Sequence, residues 1–298
     1  GMYWDNRPMY ERVTKGLPFS NIYALKNSNK GYSYSLSLKA EKSFDFGLDL
    51  AASYTFTQSK SLCPATSSKA ASNWNNTSTY RFSNAPELGY SAYNLPHMIK
   101  ASAFYRFHIA NNKNFTTTIG VIYQGRSGSP YSMLYSGDLN GDNGRGNDLM
   151  FIPTDEQIDL MPFKAQGNYT EELQRQNLKA WLAKTPYLKD HRGEYFKRNA
   201  DNLPFENHFD FHVAEKMSVK VGKQVHSLEL SLDILNVGNL LNKDWGRTYG
   251  TTYSNELISP LTYDGGKFQF LSTPDYVIKY PQSYYSRWRG QLGLKYTF

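Results

Sequence analysis

Runs of strict alternation between apolar and polar residues recur along this chain. From Trp288 it reads WRGQLGLKYTF. Trp288, Gly290, Leu292, Leu294, Tyr296 and Phe298 fall on one side, and Arg289, Gln291, Gly293, Lys295 and Thr297 on the other. Successive side chains of a strand point to opposite faces, so this spacing predicts a strand with one apolar and one polar face. The same alternation runs over Tyr32 to Glu41, Phe46 to Thr57, Ile99 to Ile109, Phe115 to Tyr123, Phe209 to Ala214 and Ser227 to Ile234. A further strand is expected around Glu256 to Tyr263 or Lys267 to Leu271.

The connections have a rhythm of their own. Short polar turns near Lys42–Asp45, Ala110–Asn114 and Lys220–Gln224 alternate with long excursions over about 60–94, 127–206 and 236–283. The first excursion is a Ser/Asn/Thr/Ala-rich loop without periodicity. The second predicts one helix from about Glu171 to Ala183, with Asn168 and Glu171 as a capping box and Leu173, Leu178, Trp181 and Leu182 on one face. Residues 1–30 read as irregular, broken by Pro8, Gly16 and Pro18. Mid-strand charges at Glu229, Asp233, Arg287 and Arg289 fall on polar faces, which line a lumen in a barrel and meet bulk water in a sandwich. Strands of this length with short and long connections in alternation favour an all-β fold: an antiparallel transmembrane β-barrel of about eight strands with long extracellular loops, one of them helical. The alternative is a soluble β-sandwich binding domain.

Composition narrows this picture. Aromatic residues make up 15% of the chain, 24 Tyr and 17 Phe among them, which suits strands and interfacial belts. Mean hydropathy is −0.61 and no apolar run reaches the length of a membrane-spanning helix, which leaves a β-barrel open. The net charge of +7 comes from scattered rather than clustered basic residues, so no nucleic-acid partner is expected. Cys63 is the one cysteine, so no intrachain disulfide can form. No signal peptide is visible, and Gly1-Met2 reads as an added residue before a start methionine.

Several segments together resemble the C-terminal barrel half of TonB-dependent outer-membrane receptors, in the SusC-like and Oar-like branch. They are GSPYSMLYSGDLNGDNGRGNDLMFIP (Gly128 to Pro153), FENHFDFHV (Phe205 to Val213), LELSLDILNVGNLLNKDW (Leu228 to Trp245) and the ending LGLKYTF. The resemblance covers roughly Asn94 to Phe298. It implies uptake of a nutrient solute (an oligosaccharide, peptide or metal chelate) across the outer membrane of a Gram-negative envelope. It implies outer-membrane lipid, the TonB system and a surface lipoprotein as partners. The barrel-assembly machinery would read Tyr296 and Phe298. The family's N-terminal plug and TonB-contacting motif are not visible in this sequence, so it is expected to be the C-terminal part of a larger receptor. A passive pore or structural barrel is the alternative.

The candidate chemistry is modest. Glu229, Asp233, Arg287 and Arg289 could select solute, or could pair with one another across strands. Trp74, Tyr80 and Phe82 could stack on a ligand, or could pack their own loop. Asp138, Asn140, Asp142 and Asp148 have the oxygen-rich spacing of a calcium loop. However, Asn143 stands where such a loop has glycine, and no closing Glu follows. The plain alternative is a turn-rich loop in which these side chains serve backbone geometry. No cofactor is expected beyond that possible structural calcium. With no GxSxG, HExxH or phosphate loop, no enzyme is expected.

Overall fold

The computed structural model describes residues 5–11, 16, 18, 22–144, 146–251, 257–271, 280–281 and 284–298. The strands and helices in chain order are β1 (Tyr32–Ser43), β2 (Leu48–Ser61), α1 (Ala70–Asn75), β3 (Gly89–Tyr90), β4 (His97–Phe107), β5 (Phe115–Arg126), β6 (Pro130–Ser136), α2 (Asp155–Leu160), α3 (Glu171–Lys184), α4 (Pro186–Asp190), β7 (Asp201–Asn202), β8 (Glu206–Val221), β9 (Gln224–Leu235), α5 (Val237–Leu241), β10 (Tyr249–Gly250), β11 (Leu257–Asp264), β12 (Lys267–Gln269), β13 (Tyr280–Pro281) and β14 (Arg289–Thr297).

The long strands pair in the order β1-β2-β4-β5-β8-β9-β14, antiparallel throughout. This is a meander: each long strand lies beside the next one in the chain. They run from 9 to 16 residues, enough for a tilted strand to cross a bilayer. Among the described residues β1 and β14 are each paired on one side only. The tightest turn, between β8 and β9, has Gly222 at φ 64, the positive value that a two-residue hairpin turn requires there.

Register carries the alternation of single strands across the whole sheet. Leu36 faces Phe56, Ala52 faces Ala101, Val121 faces Phe211, Val213 faces Leu232, and Leu232 faces Leu292. The result is one apolar face seven strands wide. Its middle is aliphatic, and aromatics gather at both ends: Tyr34, Phe56, Tyr123 and Phe209 at one, Phe46, Tyr105, Tyr296 and Phe298 at the other. It is also exposed. Leu36 is 73% accessible and Leu294 73%. An aliphatic side chain left in water rather than buried forgoes about 1.5–3 kcal/mol, so a face of this width needs an apolar surround. Glu215 interrupts the face, and the Thr117 hydroxyl donates to its carboxylate at 2.5 Å.

The buried core lies elsewhere. Tyr131, Met133, Met150, Ile158, Trp181, Phe196, Leu261 and Phe268 belong to it, and all come from the long excursions. All three excursions leave the same end of the sheet, and their elements fold together. β6 pairs with β7 and, in parallel, with β11, which pairs with β12; α2, α3 and α4 complete the body. The two stretches expected to hold one further strand of the main sheet, Glu256–Tyr263 and Lys267–Leu271, thus build this second sheet instead, Glu256 itself lying outside the described residues.

Other expectations need correcting. The helix over Glu171–Lys184 is present, with Leu178, Trp181 and Leu182 buried, but its cap is Thr170, whose hydroxyl accepts from Leu173 N–H at 3.1 Å, and not Asn168. The capping box belongs to α2, between Thr154 and Gln157. Ile109 has left β4 for a short 3-10 turn. The first excursion, expected to be a plain loop, holds α1 and β3.

Candidate functional site

At the end of the sheet where the excursions emerge, a cavity of about 480 Å³ lies between them. Its walls include Lys60 at the end of β2, Tyr80, Tyr90 on β3, and Glu194, Tyr195 and Arg198 before β7. The volume falls in the range of small-ligand sites. Tyr80 and Tyr195 stack at 4.4 Å between centroids, and Lys60 Nζ lies 4.9 Å from the centre of the Tyr90 ring. Together they present aromatic surface beside an ammonium group, which suits a solute with an apolar ring face and polar edges.

Local contacts hold these walls in place. The buried Arg198 guanidinium donates to the carbonyls of Leu62 (2.7 Å) and Ser61, tying the second excursion to the end of β2. Asn199 Nδ2 donates to Tyr90 carbonyl at 3.0 Å. Burial lowers the affinity of Arg198 for its proton, and the carbonyls offset part of that cost. The Tyr195 hydroxyl donates to Asp5 carbonyl at 2.5 Å. Burial and the nearby Asp5 hold it far above the usual phenol range, so it acts as a donor rather than an anion.

Of the loop aromatics singled out from the sequence, only Tyr80 lines this cavity. Trp74 donates its indole N–H to Asn84 at 2.6 Å and meets Phe82 edge-on, while Phe82 stacks on Tyr10 at 4.4 Å. Those two pack the loop and the N-terminal segment against each other. Lys60, Tyr195, Arg198 and Glu194 carried no signal in the sequence, being brought together from positions up to 138 apart.

The charges on the polar face pair across strands. His212 and Asp233 meet at 2.6 Å, and Arg106 and Asp49 at 3.8 Å. Register places Lys216, Glu229 and Lys295 in one row. Arg289 opens β14 and lies over the Tyr284 ring. Arg287 is not mid-strand: it is exposed in the turn before β14. Tyr296 donates or accepts a hydrogen bond with His226 at 2.6 Å, and Phe298 is largely exposed beyond the end of β14.

Asp148 is held by Arg7 Nη1 at 2.9 Å on one oxygen and by Leu139 N–H at 2.8 Å on the other, so both of its oxygens are already engaged. Among the described residues no three His, Cys, Asp or Glu side chains converge as a metal-holding group.

A sheet that is apolar and exposed on one face, charged on the other, ringed by aromatics at both ends and joined by short turns on one side is the build of an outer-membrane β-barrel. A family model described as outer membrane beta barrel domain matches residues 4–256, and the chain belongs to that family. Its place is the outer membrane, and its apolar face is the lipid-facing one. No curated protein and no solved structure matches the chain significantly. A β-sandwich would bury the apolar strand faces against a second sheet, whereas Leu36, Leu38, Leu230, Leu292 and Leu294 on this face are exposed.

Proposed function

We propose that this barrel is the C-terminal part of a TonB-dependent receptor of the SusC-like and Oar-like branch, taking up a nutrient solute. The observation that carries the reading is the folded body at the mouth, with its own core and an aromatic-lined cavity. Such a body suits a receptor better than an open, water-filled channel. A receptor must hold its solute outside before admitting it. In this reading the cavity between Tyr80, Tyr90 and Tyr195 is part of the outer binding surface, and the paired charges of the polar face line the path inward. The plug and TonB contact belong to a region N-terminal to the barrel, and a surface lipoprotein would complete the outer site. Tyr296 and Phe298 form the signal for barrel assembly. No chemistry is asked of the chain beyond binding and passage.

The test is accumulation of labelled oligosaccharides, peptides and metal chelates by cells with and without the complete protein. At least one solute should enter only when the protein, TonB and the inner-membrane proton gradient are all present, and Tyr80→Ala with Tyr195→Ala should reduce its entry. Entry that persists after the gradient is collapsed contradicts the proposal and favours a passive pore.

A further inference from the structure

The loop Asp138–Asp148 has an arrangement that the uptake reading does not use. Asp138 accepts N–H groups from Gly141 (2.8 Å) and Asn143 (2.9 Å), Asn140 from Asp142 (2.9 Å), and Asp142 from Gly144 (2.7 Å). Gly141 and Asn143 are left-handed, at φ 76 and 70. Asn143, which stands in the glycine position of a calcium loop, therefore makes the sharp turn that such a loop needs, as asparagine can.

Those contacts account for one oxygen of Asp142. The other, Oδ2, is buried without a well-formed hydrogen bond, in a residue only 9% exposed, with Ser83 N–H and the Asn140 side chain near the carboxylate. A second orphan lies beside it. Asn147 is 1% exposed, and its Nδ2 donates to Ser83 while its Oδ1 is buried without a donor. Both side chains flank the same residue. Asp142 Oδ1 takes the N–H of Gly144, and the Asn147 amide fills the space where a Cβ on Gly144 would be. Two unsatisfied buried acceptors flanking Gly144 are costly, and a cation that takes both oxygens would satisfy them.

We propose that this loop is a calcium site, with Asp138, Asn140, Asp142 and Asn147 supplying carboxylate and amide oxygens and the main chain at Gly144 a further one. The mixed donor set explains why no trio of acidic side chains converges, and it is the kind of set a large hard cation accepts. Magnesium, which demands near-ideal octahedral geometry, fits it less well. The site would also stiffen the anchor of the N-terminal segment, because Tyr10 N–H donates to Asn140 carbonyl at 2.7 Å. The proposal is independent of what the barrel transports.

The experiment is calorimetric titration of the full chain, folded in detergent and stripped with EDTA, using calcium chloride and, separately, magnesium chloride. One calcium per chain is expected, with Kd about 0.1–1 mM, the range of extracellular modules, and with weaker binding of magnesium. Asp142→Asn should weaken calcium binding at least about tenfold while the β-type circular dichroism of the folded chain stays unchanged. If that variant does not fold, Asn147→Ala is titrated in its place with the same expectation. No saturable calcium uptake by the folded wild-type chain overturns the proposal, and so does an unchanged affinity in a folded variant.

Discussion

Arg7 Nη1 meets Asp148 Oδ1 at 2.9 Å across 141 residues of sequence, with both side chains fully buried. The same guanidinium reaches Asp5 at 3.2 Å and Leu149 carbonyl at 2.5 Å, and lies over the rings of Tyr135 and Tyr195. The N-terminal segment is thereby pinned to the body at the barrel mouth.

Removing one partner of a buried pair leaves the other charge uncompensated. Arg7→Met should therefore destabilise the body by about 3–5 kcal/mol. Adding Asp148→Asn should recover a good part of that loss, because the stranded carboxylate disappears with it. Thermal melting followed by near-ultraviolet circular dichroism in EDTA reads both. Equal stability of Arg7→Met and wild type would mean the pair contributes nothing.

The same carboxylate predicts a pH dependence. Burial pushes Asp148 up to about 6, reinforced by Asp142 and Asp138, against the pull of Arg7 and Leu139 N–H. Its folded pKa thus lies above its unfolded value, near 3.9. The folded state holds this proton more tightly, so stability is greatest below about pH 4 in this respect and declines as pH rises to about 6, by on the order of 3 kcal/mol. The melting temperature of wild type relative to Asp148→Asn should fall across that window and level off above it. In Arg7→Met the decline should extend to higher pH, since the group that lowers the pKa is gone. A wild-type difference that rises with pH would reverse the sign and refute this account of Asp148.

The body has its own core, and the main sheet is held by its ladders. Trp181 is fully buried at the centre of that core and lies 5.6 Å from Phe270. Trp181→Ala should cost about 3–5 kcal/mol and open the excursions to protease. The β-type circular dichroism of the main sheet should persist. Loss of that signal in this variant would mean that the two parts fold as one.

Within the sheet, Phe104 lies across Gly120 on the polar face, where a Cβ would run into its ring. Gly120→Ala should cost about 1–3 kcal/mol by displacing the ring. The cost should be much smaller in a Phe104→Leu background, giving a double-mutant cycle far from additive. Additive effects in urea unfolding would show that the ring is not held there.

The strands were legible because each repeats a period-2 pattern, and the register then carries Leu230 beside Leu294 without further information. The body at the mouth was not legible. β6 (Pro130–Ser136) is buried on both faces, so it shows no alternation, and its parallel partner β11 lies more than 120 residues away. Gln174 reads as a surface residue of α3. It is buried because its amide bonds Lys164 carbonyl, Tyr169 carbonyl and Phe270 N–H. The cavity was hidden for a similar reason. Tyr80 was visible as a loop aromatic, but Tyr195 and Lys60 join it only through the fold. Arg287 was misplaced because alternation continues for two residues before pairing begins at Arg289.

The central claim is that one face of the sheet meets lipid and the other an aqueous lumen. Cysteine accessibility along β9 tests it most directly. In a Cys63→Ser background, single changes Leu228→Cys, Glu229→Cys, Leu230→Cys, Ser231→Cys, Leu232→Cys and Asp233→Cys are made in the full chain, which is folded into lipid vesicles and treated with a membrane-impermeant maleimide. The account predicts labelling at 229, 231 and 233, protection at 228, 230 and 232, and the reverse pattern for quenching by lipid-borne probes. Uniform labelling along the strand, or protection on the polar side, would contradict it.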